Sequence, residues 1–578
     1  MYVDPSHPTA APARRAASLA RTAPAAAPCR LEAVVSGRQR AAFLAIQLPS
    51  LGMLLWLSAT LADMFFSQFV APMAVRAIVV TGGALAIAWQ IAAMYRVLSM
   101  KRAVPPDAAP PTGLRIAMAT TIVPSREFDL LRGKLEAMAR VDRCGNAVDH
   151  WVLDEENDAR VRAMVAEFDA RLRGAGVRLR YFTRAGIARY NEAPSGRRFQ
   201  RFQARQKGGN INAWLDATRP EAYDVVTFLD LDHMPKPTFY RTVLPYLRDP
   251  GVAFVQGPES FHNREQNFVT RAAAHERDTF VGVLQRSYFG LGMPVIVGSH
   301  TTFRAEALRD LGGFYPVHLT EDYLMMLRMR ALGKRGIFVD EVIAVGELPS
   351  SWAAYMQQQL RWASGGLDLL VRYFPTLWRG FTAKQRLFTF TLLNYYAWGS
   401  FFMLAKGLLL VLLLCGVTLP IGLPLMAAIG AFILSATVAN HLWERQFFVE
   451  RARRSHLCES AVMNNFLGGL YGLSLVKALA APNTAFMVTA KTGAGRLPGS
   501  RLRAYPFAAA AMLALEAGAL AIVWTCLRPA GALQPGQYDV LAAPLVISAL
   551  GMAAALAVFW HHERISRAVP RAALVSGD

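Results

Sequence analysis

Cysteine is scarce in this chain. There are five in 578 residues, Cys29, Cys144, Cys415, Cys458 and Cys526, and no CxxC pair. That spacing excludes a disulfide-stapled scaffold and the common zinc modules, and it suits a reducing cytosolic face. Acidic residues are also few, 41 against 62 basic, leaving a net charge of +21. Such an excess would fit nucleic acid, but no reader motif accompanies it. Lys and Arg instead flank long apolar runs, as expected of cytosolic loops beside a bilayer, so no nucleic-acid partner is expected. Charged residues make up only 18% of the chain and apolar residues 53%, so the polar part must be concentrated in one region. The length implies two or more structural units, and membrane lipids become an expected partner.

Residues 1–40 are rich in Ala, Pro and Arg without apolar periodicity, and are expected to form a disordered basic cytosolic tail. Residues 41–102 hold two apolar runs, about 41–62 and 77–95, each long enough to cross hydrocarbon as a helix. The prolines at 105, 106, 110 and 111 read as a stiff linker. From about 113 to 386, short β-rich runs (116–123, 150–153, 177–182, 225–229, 252–256) alternate with helical stretches such as 130–140 and 159–173. This alternation predicts a parallel, doubly wound α/β sheet with ligands at the C-terminal strand ends. Residues 387–561 contain four more candidate spans, about 387–417, 421–442, 506–527 and 540–560. A Gly-interrupted stretch at 461–479 reads as an interface helix. Residues 562–578 return to the cytosol as a basic tail. The expected architecture is thus an α/β cytosolic domain, 103–386, inserted between about two and four transmembrane helices.

Four short motifs carry the chemistry. Asp230-Leu231-Asp232 ends the apolar strand 225–229, and strand alternation puts both carboxylates on one side. There they can hold Mg²⁺ or Mn²⁺ against a diphosphate. Thr320-Glu321-Asp322 opens a helix; Thr as N-cap with two dipole-favoured acids explains it structurally. The functional alternative makes Asp322 a general base. Gln358, Arg361 and Trp362 share one helical face at i, i+3 and i+4, either as an anion-binding and sugar-stacking set or as ordinary interface anchors. Lys207-Gly208-Gly209-Asn210 opens another helix and suits phosphate, weakly. Asp154 lies at the end of its own strand.

The order of these motifs resembles the processive family 2 glycosyltransferases of the cellulose synthase type, over roughly residues 41–560. The resemblance rests on Leu153-Asp154-Glu155, Lys207-Gly208-Gly209-Asn210-Ile211-Asn212, Asp230-Leu231-Asp232-His233, Thr320-Glu321-Asp322 and Gln358-Gln359-Leu360-Arg361-Trp362. Phe486-Met487-Val488-Thr489-Ala490-Lys491 is similar to the family's gating loop, FxVTxK. The resemblance implies a GT-A-like cytosolic domain that uses a UDP-sugar donor with inversion. It assigns Asp322 as base, Asp232 as metal ligand and Arg361 as diphosphate holder. Asp154, Lys207, Asp230, Glu321 and Gln358 fall on the donor side, and Trp362 at the acceptor end of a growing glycan. Phe486, Val488 and Thr489 would close over bound donor. It further implies a multi-pass protein of the cell (inner) membrane, an export channel, and one more partner, an accessory export subunit.

The chain departs from the family pattern in three places. Asp154-Glu155-Glu156 replaces the usual Asp-Asp-Gly, and a basic, aromatic insertion spans about 187–206. Between Lys491 and the apolar run at 506 there is no room for a PilZ domain, so direct cyclic-di-GMP control by this chain is not expected. The expected activity is polymerisation of a β-linked, glucan-like polysaccharide with export. The alternatives are addition of a single sugar to a lipid or short acceptor, and a non-catalytic membrane scaffold.

Overall fold

A computed structural model of the chain describes residues 29–63, 66, 73–107, 109–191, 207–218, 223–314, 318–400, 423–449 and 456–480, with scattered helical residues between 513 and 561. The described chain begins with strand β1 (Leu31–Ala33), helix α1 (Gly37–Asp63), helix α2 (Met73–Leu98) and strand β2 (Lys101–Ala103). β1 and β2 pair antiparallel, Leu31 opposite Ala103, and close the base of the two packed helices. These helices are the first two apolar runs. Among the described residues, α1 is the one helix long and apolar enough to cross a membrane.

The α/β alternation then appears as expected: β3 (Arg115–Ile122), α3 (Leu131–Ala139), β4 (Ala147–Asp154), α4 (Ala159–Leu172), β5 (Arg178–Thr183), α5 (Lys207–Ala217) and β6 (Val225–Asp230). Asp158 caps α4 by accepting from the Arg160 amide at 2.7 Å. β3 runs parallel to β4 and β6, and β4 parallel to β5. Its residues alternate between two cores. Ile116 and Met118 pack to one side, and Ala117 and Ala119 to the other, with Trp151, Trp214 and Phe228. Burial of both faces is why these strands read as continuous apolar runs.

Beyond β6 the chain forms β7 (Met234–Pro235), β8 (Val252–Gln256), β9 (Glu259–Phe261), helix α6 (Phe268–Thr279), helix α7 (Arg286–Gly290), β10 (Thr301–Arg304), helix α8 (Glu321–Ala331), β11 (Arg335–Phe338) and β12 (Ala344–Gly346). The main sheet has the order β11-β8-β10-β6-β3-β4-β5. The expectation of a wholly parallel sheet is corrected here. β10 runs antiparallel to both β6 and β8, setting Thr301 opposite Phe228 and Gln256. The chain leaves the sheet after β8, crosses α6 and α7, and re-enters in the opposite sense. That reversal carries the loop before β10 to the C-terminal end of β6, beside the Asp230 turn. A small second sheet, β7-β12-β9, frames the same turn.

Helices α9 (Trp352–Asp368), α10 (Ala383–Leu393), α11 (Leu423–Glu444) and α12 (Leu457–Ala480) follow. The apolar 461–479 stretch is part of α12, which packs along α9 and α6. α11 packs on α1, with Phe43 and Trp443 rings 4.6 Å apart. Between these apolar helices runs a chain of amides. Gln90 Nε2 donates to Gln47 Oε1 at 2.6 Å, and Gln47 Nε2 donates to Asn440 Oδ1. Most of the expected spans at 506–527 and 540–560, part of that at 387–417, the gating loop 486–491 and the tail 562–578 lie outside the described residues.

One of the contacts between the helix pair and the α/β domain is especially close. A Cβ added to Gly290 of α7 would overlap the Ser99 carbonyl oxygen just beyond α2. Both partners are main chain, so neither can swing away. Gly290→Ala is expected to cost about 3 kcal/mol, the upper range for overpacking. A thermal melt of the two proteins checks this.

Candidate active site

The sheet places two acids at one edge. In β3, Ile122 lies opposite Asp154 of β4, and Thr121 lies opposite Asp230 of β6. Asp154 and Asp230 are therefore two strands apart, about 10 Å across the sheet. Asp154 is fully buried and its oxygens are already engaged. Oδ1 accepts from the Glu156 amide at 2.8 Å, and Oδ2 from the Asp158 amide at 2.6 Å and the Tyr181 hydroxyl at 2.8 Å. It shapes the turn after β4. Glu155, at the departure from the family pattern, pairs with Arg184 at 2.7 Å. Burial holds the Glu155 carboxyl up at about 7, against the pull of Arg184.

Around Asp230 the remaining groups converge. Lys207 opens α5, where buried Gly208 and Gly209 let the helix start sit deep in the fold. Its Nζ donates to the Asp230 carboxylate and, at 3.1 Å, to the Gly298 carbonyl. Burial alone would push this ammonium down, but Asp230, Glu321 and Asp322 outweigh it and raise its pKa. Burial likewise opposes charge on Asp230, yet Lys207 prevails and holds the carboxyl below its ordinary range. The Asp230 amide donates to Ser299 Oγ at 3.1 Å. The segment before β10 thus touches both Lys207 and Asp230.

Asp230, Asp232 and His233 offer ligand atoms that all lie within 4.8 Å of one another. Asp232 and His233 are buried. His233 Nδ1 stands 3.5 Å from Asp232 Oδ1 and Nε2 stands 4.0 Å from Glu259 Oε1, and neither ring nitrogen has a hydrogen-bond partner. A Cβ on Gly346 of β12 would crowd His233 Nε2 at 2.5 Å, so glycine makes room for the ring. Two carboxylates and an orphaned imidazole suit a divalent cation that accepts oxygen and nitrogen ligands. Sequence reasoning chose Asp232 and passed over His233. The signal was its place directly after the acidic pair.

Asp322, the second residue of α8, packs against Gly298, whose carbonyl accepts from Lys207. A Cβ on Gly298, which has φ +79°, would lie 2.9 Å from Asp322 Oδ2. Its Oδ1 accepts from the Tyr323 amide at 2.8 Å. Burial raises the Asp322 carboxyl above its ordinary range, against the pull of the Tyr323 amide, Lys207 and Arg361. Burial and then the Asp322 charge hold Glu321 up at about 7, with Lys207 and Arg361 opposing. Thr320 makes no side-chain cap at the start of α8, so the purely structural explanation of this motif loses its main support. The Thr320 amide instead donates to His318 Nδ1 at 3.1 Å, while His318 Nε2 lies 3.1 Å from Asp368 Oδ2. A Cβ on Gly365 would press on Thr320 at 2.6 Å. The acidic motif is therefore braced against α9, the helix that carries Gln358, Arg361 and Trp362.

Those three residues are half-buried on one face of α9, whose start is capped by Ser351. Arg361 reaches near enough to lower both Glu321 and Asp322. One face of the Trp362 ring carries the Arg277 guanidinium 5.0 Å from its centre, and Arg277 is paired with Glu259. A sugar can stack only on the other face. The structure thus gathers Lys207, Asp230, Asp232, Glu321, Asp322 and Arg361, and puts Trp362 beside them. Asp154 stays at a neighbouring position on the same edge. Phe486, Val488 and Thr489 lie outside the described residues.

Residues 225–439 match the family model described as glycosyl transferase family group 2. A UDP-forming cellulose synthase from Dictyostelium discoideum, the catalytic polypeptide of that enzyme, is 31% identical over 167 residues, 28% of this chain and 16% of that protein. The chain thus spans about one sixth of the length of the curated relative it matches. Among solved structures, the mannosyltransferase PcManGT of Pyrobaculum calidifontis, in complex with GDP-Man and Mn²⁺, aligns with a TM-score of 0.40 at 17% identity, covering 74% of this chain and 98% of that one. The S. aureus TarS 1–349 complex with UDP-GlcNAc aligns with a TM-score of 0.28 at 11% identity, covering 63% of this chain and 91% of that one. The matched segment runs from the strand that delivers Asp230 through Asp322 and the Arg361-Trp362 helix, and over it the chain is similar to family 2 glycosyltransferases, a cellulose synthase among them.

Proposed function

We propose that the protein is a membrane-embedded, inverting glycosyltransferase with a GT-A-like domain, which polymerises sugar from a UDP-sugar into a β-linked, glucan-like polysaccharide and exports it. The observation that carries this reading is the convergence of Lys207, Asp322 and the Asp230-Asp232-His233 cluster around Gly298. In this reading Asp322 accepts the proton of an acceptor hydroxyl as that oxygen bonds to the anomeric carbon. The bond from the anomeric carbon to the departing diphosphate breaks on the opposite side, which inverts the configuration. Lys207 and Arg361 hold the diphosphate and balance its charge. Asp232, with Asp230 and His233, would hold a divalent cation, which when bound would supply Lewis-acid stabilisation of the leaving nucleotide. Asp154 orders the turn beside the nucleotide, and Gln358 and Glu321 line the donor side. The open face of Trp362 supports the terminal acceptor sugar.

The apolar helices α1, α2 and α11, with the runs outside the described residues, support a multi-pass protein in the cell (inner) membrane. Its catalytic domain then faces the cytosolic nucleotide pool. The partners this reading implies are growing glycan, lipid and an accessory export subunit. Product length decides it. Purified full chain, given radiolabelled UDP-glucose and other UDP-sugars with Mn²⁺, is expected to release UDP and form products of many sugars. Trp362→Ala should shorten them and raise the KM for acceptor about tenfold, with the KM for donor little changed. Adducts of one sugar only would favour transfer to a lipid or short acceptor, and no UDP release from any donor would defeat the enzymatic reading.

A further inference from the structure

Below the cation cluster lies a lysine that the proposed chemistry does not use. Lys134, on α3, has no exposed surface and is among the largest fully buried side chains of the described residues. Its Nζ donates to the Asp230 carbonyl at 2.9 Å and to the His233 carbonyl. The same turn is closed by the His233 amide donating to the Asp230 carbonyl at 3.1 Å. One ammonium therefore ties both ends of the four-residue segment that carries all three candidate ligands. No carboxylate oxygen lies within ion-pair distance of it among the described pairs, so it is held by carbonyl dipoles and by the nearby Asp232 and Asp230 charges. Burial pushes its pKa down to about 7 even with those charges opposing.

A fully buried ammonium costs several kcal/mol of desolvation, whereas methionine would fill similar space without that cost. Helix α3 packs on β7, the strand directly after the turn, so the clamp is anchored in a rigid layer. Lys207 acts instead on the Asp230 carboxylate and the Gly298 carbonyl. One lysine thus orients a side chain and the other fixes the main chain beneath it. Ligand atoms must be held within about 0.5 Å of a productive arrangement to bind a cation well, and backbone slack in so short a turn would exceed that.

We propose that Lys134 is a positioning residue that fixes the spacing of Asp230, Asp232 and His233 and thereby sets their affinity for a divalent cation. The inference rests on the reading of this cluster as the cation site. It concerns cation affinity and assigns Lys134 no contact with substrate.

The test is an Mn²⁺ titration of the full chain in detergent, in the presence of saturating UDP, followed by the electron paramagnetic resonance signal of free Mn²⁺. Lys134→Met is expected to weaken Mn²⁺ binding about tenfold or more, with UDP affinity in the absence of metal unchanged. Lys134→Gln, which keeps a donor but no charge, should fall between the two. It serves as the reading variant should Lys134→Met fail to fold. A folded variant of either kind that binds Mn²⁺ as tightly as wild type, or tighter, would overturn the proposal and leave Lys134 as a structural filler. Wild-type protein that binds no Mn²⁺ with UDP would instead sink the cation-site reading itself, so the two failures are distinguishable.

Discussion

On the role proposed for Asp322, Asp322→Asn is expected to lower kcat about a thousandfold while UDP affinity stays close to wild type, because loss of a general base would remove proton acceptance without removing a nucleotide contact. The substitution keeps the side-chain volume against Gly298 and an acceptor for the Tyr323 amide, so the local fold should survive. Single-turnover transfer with isothermal titration of UDP separates the two effects. The pH profile gives a second readout. Burial holds the Asp322 carboxyl above its ordinary range, and only the deprotonated form can accept a proton. Wild-type kcat should therefore climb with pH along a limb placed higher than an ordinary carboxylate would give. The limb should disappear in Asp322→Asn. Lys207→Met removes a cation that favours ionised Asp322, so its limb should move to higher pH still. Unchanged turnover in Asp322→Asn would remove this residue from the mechanism.

Asp232→Asn is expected to lose activity to a similar extent, for a different reason. Asp232 is buried beside Asp230 and His233, and converting a carboxylate oxygen to an amide there removes one of two anionic ligands. Loss of about 4 kcal/mol of charge stabilisation at the leaving diphosphate corresponds to about a thousandfold in rate. The variant should also fail to retain Mn²⁺ at concentrations that saturate wild type. Excess Mn²⁺ should restore part of the rate, which Asp322→Asn should not allow. That contrast separates a cation ligand from a proton acceptor. It also guards against misreading a general folding defect as chemistry.

Much of this arrangement was legible from residue order. The central strands were readable because both faces of the sheet are buried there, giving unbroken apolar runs such as Val225 to Leu229. Asp230 and Asp232 stood out because charge follows that run abruptly. β10 was not readable: Thr301–Arg304 is short and polar in pattern, and its reversed direction is set by a long excursion through α6 and α7. Nothing local encodes that reversal. Lys134 was hidden for a related reason. It sits in a helix whose composition is ordinary, and only tertiary packing shows that its charge points inward beneath the Asp230 turn. His233 was in plain view, but a histidine beside a strand end is ambiguous until Gly346 is seen to leave space for its ring. The sequence left Thr320 open between a helix cap and part of a functional motif. Helix-start residues commonly cap through the side-chain oxygen, yet here Thr320 Oγ1 lies 3.2 Å from His318 Nδ1, and the His318 link to Asp368 depends on α9 folding against it.

The amide chain Gln90–Gln47–Asn440 carries a consequence for assembly. Helices made almost wholly of aliphatic side chains slide and rotate against one another with little penalty, since every orientation offers similar grease. Three carboxamides that meet only in one rotational setting remove that freedom, because any other setting leaves at least one of them facing apolar side chains without a partner. The individual bonds are weak, about 1 kcal/mol each. Their value is in discrimination: they act as a keyway that favours one alignment of α1, α2 and α11 over the others.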